Sequence, residues 1–194
     1  LQGHPLTKHH LIQFSESGEV MLCFLMCVCD SLEKVQSYVT HIPDKAMKLA
    51  DAFWPGPLTI LLNKKDHIPD LLTSGLPNVA VRMPKHELTQ ELLQRLDFPL
   101  AAPSANPFGY VSPTTAQHLE DQLGTKIPYI LDGGQCSIGI ESTIIGFDEN
   151  EKPIIYRLGG KKIDDIENIV GRVKLKIIHS SDPMAPGMLK THYA

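Results

Sequence analysis

MKLADAFWPGPLTILL, residues 47–62, is the stretch on which the fold class turns. Its first half places Met47, Ala50, Phe53 and Trp54 at helical spacing, behind a Pro43-Asp44 opening. Pro55-Gly56-Pro57 then ends the helix, because proline cannot supply the amide donors that a further turn needs. Leu58 to Leu62 is apolar and reads as a strand. A helix broken abruptly into a strand sets the pattern for the rest of the chain.

Working outward, Leu11–Phe14 reads as a short strand, and Asp30-Ser31-Leu32-Glu33 as a helix start running to Tyr38 or Val39. Downstream, strands are expected at Val79–Val81, Leu100-Ala101, Tyr129–Leu131, Ser142–Phe147 and Ile154–Arg157. Leu88, Leu92, Leu93 and Leu96 mark a helix, and Ser112-Pro113-Thr114 caps another over Thr114–Leu123. A last helix covers Asp164–Val170, with Ile163, Ile166, Ile169 and Val170 inward. Beyond Lys174 a Ser/Asp/Pro/Gly segment reads as a linker. Strands and helices alternate without a regular βαβ period or an internal repeat, which predicts an α/β (α+β) domain around a single twisted sheet.

The 194 residues fit one domain, or one domain and a linker. Lys+Arg is 18 against Asp+Glu 22, a net charge of −4, which argues against wholesale coating of nucleic acid or an anionic membrane and leaves a local basic cleft open. Hydrophobic residues at 42% and charged residues at 21% exclude a disordered chain. The apolar run Val20–Val28 is far shorter than the roughly 20 residues of a membrane span, so no membrane partner is expected. Cys23, Cys27 and Cys29 lack the paired knuckles of a zinc site, so no metal site is assigned and buried thiols are the simpler reading. With the distant Cys136 they form no disulfide framework, which suits a reducing, cytoplasmic compartment.

Four loop clusters at strand ends carry candidate chemistry. Arg82 in VAVRMP follows an apolar strand, where a guanidinium can clamp a carboxylate or phosphate, or make a surface salt bridge. In AAPSANPFGYVSPTT, Ser104, Asn106 and Ser112 suit an anion, although Ser and Asn also serve ordinary turns. Asp132-Gly133-Gly134 and Glu141-Ser142-Thr143 flank the next loop, and Arg157-Leu158-Gly159-Gly160 repeats the motif of a cation beside glycines. Glycine pairs allow close approach to a ligand and equally mark hairpins. No serine-histidine-aspartate order, acid/base carboxylate pair or histidine chelate is evident, so no covalent catalytic residue is assigned.

Taken in order, FWPGPLT (53–59), VAVRMP (79–84), AAPSAN (101–106), SPTTA (112–116), ILDGG (130–134), ESTI (141–144) and RLGG (157–160) closely resemble the threonylcarbamoyl-AMP synthase family, the YrdC-like domain. The tail PGMLKTHYA (186–194) resembles the interdomain linker of its two-domain members. The resemblance implies a YrdC-like fold over residues 1–174 with a concave basic pocket, followed by the start of a linker at 175–194. It implies synthesis of threonylcarbamoyl-AMP and pyrophosphate from L-threonine, bicarbonate and ATP with Mg²⁺, without a tightly bound cofactor. The product would serve a downstream transferase that modifies tRNA. A non-catalytic RNA- or nucleotide-binding module is the alternative, and the net charge disfavours it.

Carried over residue by residue, the resemblance implies that His9, Arg82, Ala102 and Ser142 contact threonine. Ser104, Asn106, Ser112 and Arg157 would contact ATP, with Asn78 a further ATP candidate. Three departures accompany it. The family's N-terminal strand and threonine-pocket loop lie upstream of Leu1. Its basic Lys-x-Arg-Pro motif survives as Gly3-His4-Pro5, and Ser17–Asp30 reads as an insertion. A mostly neutral histidine replaces a fixed cation on the triphosphate, so weak ATP binding and little product are expected of this chain. The tail Met184–Ala194 is expected to fold over the pocket mouth when ligand binds.

Overall fold

The computed structural model describes residues 26–107 and 110–176. A seven-stranded mixed sheet of order β4-β1-β3-β2-β5-β6-β7 organises them. Its strands are β1 (Met26–Val28), β2 (Leu58–Asn63), β3 (Asn78–Arg82), β4 (Leu100–Ala102), β5 (Thr143–Phe147), β6 (Pro153–Arg157) and β7 (Lys174–Leu175). The helices are α1 (Leu32–Tyr38), α2 (Asp44–Phe53), α3 (Asp70–Thr73), α4 (Glu87–Gln94), α5 (Ala116–Leu123) and α6 (Ile163–Val170). Pairs β1/β3, β2/β5 and β6/β7 are parallel, whereas β1/β4, β2/β3 and β5/β6 are antiparallel.

Alternation along the strands divides the sheet into two unlike faces. One face presents Cys27, Ile60, Leu62, Val79, Val81, Ile145 and Ile155, all buried against Val35 of α1, Ala46, Leu49 and Ala50 of α2, and Ile166 and Val170 of α6. The opposite face holds a smaller cluster of Leu61, Ala80, Ile144, Ile154 and Tyr156, with Leu76 against it. The PGP stop works as expected: α2 ends at Phe53, Trp54 Nε1 donates to the Leu58 carbonyl at 2.7 Å, and β2 begins at once.

Several expectations need correction. Residues 26–28, placed within a 17–30 insertion, form an inner strand between β4 and β3, so the last three residues of the apolar run belong to the sheet. Ser31 rather than Asp30 caps α1, its hydroxyl accepting from the Lys34 amide, while Asp30 pairs with Lys34. Thr115 caps α5, two residues beyond the expected start, and Ser112 is committed elsewhere. Tyr129–Leu131 forms no strand; Tyr129 is 89% exposed and Leu131 61%, so neither is buried against the sheet. Ile169 points outward on α6. Leu175, the first residue assigned to the linker, is the second residue of β7 and pairs with Ile155. The short α3 carried no helical period long enough to read. His9, the Leu11–Phe14 strand and the 184–194 tail lie outside the described residues.

Candidate functional site

The less covered face carries a polar row at one end of the sheet. Continuing the β2/β3 register brings Arg82 level with Thr59, which lies opposite Ile144, and Ile144 lies opposite Arg157. Simple alternation would send Arg157 to the helix-covered face with Ile155. A register shift between Ile144 and Ile145 inserts one residue in β6, and this bulge turns Arg157 onto the same face as Arg82. Two arginines 75 positions apart (157 − 82) thereby share one end of one face.

Arg82 is aimed by the PGP turn. Its Nε donates to the Gly56 carbonyl at 2.9 Å, and the Gly56 amide in turn donates to the Met83 carbonyl at 2.8 Å. Among the described residues its terminal guanidinium nitrogens make no further hydrogen bond, so a planar two-pronged donor faces the site. Burial pulls its pKa below the ordinary arginine value; Glu141 pushes it back up and Arg157 lowers it. It stays a cation at neutral pH.

Arg157 is held more tightly. Its Nε donates to the Ser142 carbonyl at 3.0 Å, Nη2 donates to Ser142 Oγ at 3.0 Å, and Nη2 lies 3.5 Å from Glu141 Oε2. Ser142 Oγ also shares a 2.7 Å hydrogen bond with the fully buried Thr59 hydroxyl. The glycines after Arg157 serve this packing. A Cβ on Gly159 would collide with the Glu141 carbonyl oxygen, and the Gly160 amide donates to that oxygen at 2.8 Å.

The loop after β4 reaches the same place. Ser112 Oγ donates to Glu141 Oε1 at 2.8 Å and lies 3.4 Å from Asn106 Oδ1, while Asn106 Nδ2 donates to the carbonyls of Pro107 and Tyr110. Since β4 and β5 stand four places apart in the sheet, this loop spans roughly 19 Å. Asn106, Ser112, Ser142 and Arg157 are therefore linked through Glu141, with Arg82 on the same row. Ser104 is half-buried in the same loop, two residues before Asn106. Ala102 lies on this face opposite Met26, two positions along the strands.

Asn78 does not join the group. It pairs with Asn63 at the other end of β3, four residues from Arg82. Thr59 and Glu141 belong to the site and were not singled out as its residues. The sequence held a signal for each: a lone hydroxyl inside an apolar strand, and a carboxylate directly before one.

Among the described residues no group of three or more histidine, cysteine or carboxylate side chains could hold a metal ion. Cys27 and Cys29 are buried within the sheet, and desolvation pushes both thiols up to about 12. A cavity of about 290 Å³ lined by residues including Gln36, His41, Met47 and Lys65 lies between α1, α2 and the strand that follows them, away from both arginines. No described helix is long and apolar enough to cross a membrane.

Residues 23–159 match the Sua5/YciO/YrdC family, described as "Telomere recombination". The chain is 41% identical over 170 residues to a threonylcarbamoyl-AMP synthase of Pyrococcus abyssi, covering 84% of this chain and 49% of that protein. It is 40% identical over 166 residues to the Schizosaccharomyces pombe threonylcarbamoyl-AMP synthase, covering 79% of this chain and 40% of that one. The chain thus spans about half the length, or less, of these relatives. The solved P. abyssi Sua5 complexed with L-threonine superimposes with a TM-score of 0.90 at 37% identity, covering 99% of this chain and 58% of that one. E. coli YciO shares the fold, with a TM-score of 0.70 at 19% identity over 84% of this chain and 79% of that one.

Proposed function

The chain belongs to the Sua5/YciO/YrdC family, and from that premise we propose that it is a threonylcarbamoyl-AMP synthase domain. The observation that carries the reading is the two-pronged end of Arg82, held by Gly56 and unclaimed by other described residues, on the same row as the Ser142–Arg157 pair. A free amino acid offers a carboxylate that such a fork binds through paired, charge-assisted hydrogen bonds. That a relative of high structural similarity was solved with L-threonine supports the same assignment.

In this reading Arg82, Ala102 and Ser142 hold threonine, and Ser104, Asn106, Ser112 and Arg157 face the triphosphate. The threonine amine and bicarbonate form a carbamate with loss of water. A carbamate oxygen then attacks the α-phosphorus of ATP, a mixed anhydride forms, and pyrophosphate leaves. The domain's contribution is to align the reactants and offset phosphate charge, with no covalent nucleophile. Mg²⁺ would arrive with the nucleotide, held mainly by phosphate oxygens and water, since Glu141 is already engaged by Ser112 and Arg157. The reactive adenylate implies a downstream transferase that consumes it.

The test is a single-turnover assay with excess protein, ¹³C-bicarbonate, ATP and L-threonine, read by mass spectrometry. The expected result is labelled threonylcarbamoyl-adenylate that needs all three substrates, forms slowly, and forms faster in His4→Arg, which restores a fixed cation. Absence of the adenylate in both proteins, or pyrophosphate release without threonine, would contradict the proposal.

A further inference from the structure

We propose that Glu141 is a positioning residue for the nucleotide half of the site. Its carboxylate ties the loop bearing Ser104, Asn106 and Ser112 to the guanidinium of Arg157. The inference rests on the preceding reading, in which Ser112 and Arg157 face ATP.

The geometry has three parts. Oε1 of Glu141 accepts from Ser112 Oγ at 2.8 Å, and Oε2 lies 3.5 Å from Arg157 Nη2, so one side chain bridges segments that are far apart in sequence. The bridge has a fixed base. The Glu141 carbonyl takes the Gly160 amide at 2.8 Å, Gly159 packs so closely on it that a Cβ there would collide, and two residues on the Thr143 amide donates to the Pro57 carbonyl at 3.0 Å. The loop it anchors starts at β4, four places across the sheet, and the Ser112–Glu141 hydrogen bond ties it to the head of β5.

A carboxylate beside a triphosphate opposes it by charge, so Glu141 does not serve as an anion receptor. Its value is geometric and local: it holds Ser112 in place beside Arg157, and its charge offsets the repulsion that Arg157 exerts on Arg82. With both oxygens engaged, it is also poorly placed to act as a general base.

Titration calorimetry with ATP alone, and separately with L-threonine alone, tests the role without turnover. Glu141→Ala should weaken ATP binding on the order of tenfold, the size of one lost net hydrogen bond, and leave threonine affinity within about twofold. Glu141→Gln keeps an oxygen acceptor for Ser112 and should recover most of the loss. Glu141→Met, similar in length and without an acceptor, reads the same loss should the alanine variant not fold. ATP binding as tight as in the parent protein, or tighter, in Glu141→Ala or Glu141→Met would overturn the proposal, as would a glutamine variant as weak as alanine. Ser112→Ala and Arg157→Lys separate the two levels of failure. If they lose ATP and the Glu141 variants do not, only the role of Glu141 falls. If none of them loses ATP, the nucleotide assignment falls with it.

Discussion

Ile144 and Ile145 are adjacent in β5, both fully buried, and belong to different parts of the molecule. Ile145 joins the core beneath α1, α2 and α6, with Cys27, Ile60, Leu62, Val79, Val81 and Ile155 of other strands. Ile144 sits between Thr59 and Arg157, with only a small apolar cluster around it. The difference shows why one sheet can serve two purposes. Burial of apolar surface supplies stability on one face, and the guanidiniums need the other, because a charge sealed beneath helices without a partner costs several kcal/mol. Substitutions on the two faces should therefore separate stability from ligand binding.

The largest stability effect belongs to the helix-covered face. Leu49→Ala removes a fully buried side chain from α2 and should cost about 2–5 kcal/mol in urea unfolding. On the open face, Arg82→Ala should leave the unfolding midpoint nearly unchanged and weaken threonine binding on the order of a hundredfold, the size of two lost charge-assisted hydrogen bonds. Lysine at position 82 should not rescue it, since an ammonium cannot form the two-pronged pair. Calorimetric titration with threonine reads both variants. If Arg82→Ala instead unfolds the protein and binds threonine normally, the division between the faces is wrong.

Gly159→Ala joins the two effects. Its Cβ would press on the Glu141 carbonyl, so a cost of about 1–3 kcal/mol in stability should come with weaker ATP binding.

The alkaline limb tests the covered face by pH. Cys27 and Cys29 have folded pKa values raised from 9.0 to about 12. Between those values the unfolded chain releases thiol protons that the folded chain keeps, so stability falls as pH rises from 9 towards 12. Cys27→Ala should flatten that slope. Alkylation followed by peptide mapping should label the exposed Cys136 at once, and Cys27 and Cys29 only on unfolding.

Much of the scaffold was legible from local rules. The helix-stop-strand of residues 47–62, the β3 strand before Arg82 and the β5–β6 pair all follow from period and turn chemistry, which are properties of neighbouring residues. What was not legible depends on distant partners. Residues 26–28 fell within Ser17–Asp30, which departs from the family pattern and so read as an insertion, and a strand paired on both sides has no local mark beyond hydrophobicity. Tyr129 and Leu131 had strand-like composition, but both side chains are exposed and the segment joins no strand of the sheet. Arg157 reaches the site through a one-residue bulge that alternation cannot reveal. Glu141 owes its place to Ser112 and Arg157, 29 and 16 positions away (141 − 112 and 157 − 141), and only the folded sheet brings them together.

The account's central claim is that ligands bind the face of Arg82, Thr59, Ile144 and Arg157. Methyl NMR of protein labelled at threonine and isoleucine tests it most directly, because the two faces carry reporters on the same strands. Titration with L-threonine and ATP should shift the Thr59 and Ile144 methyl signals saturably and leave Ile60 and Ile145, one residue away and on the other face, unmoved. Shifts centred on Ile60 and Ile145, with Thr59 and Ile144 unchanged, would contradict it.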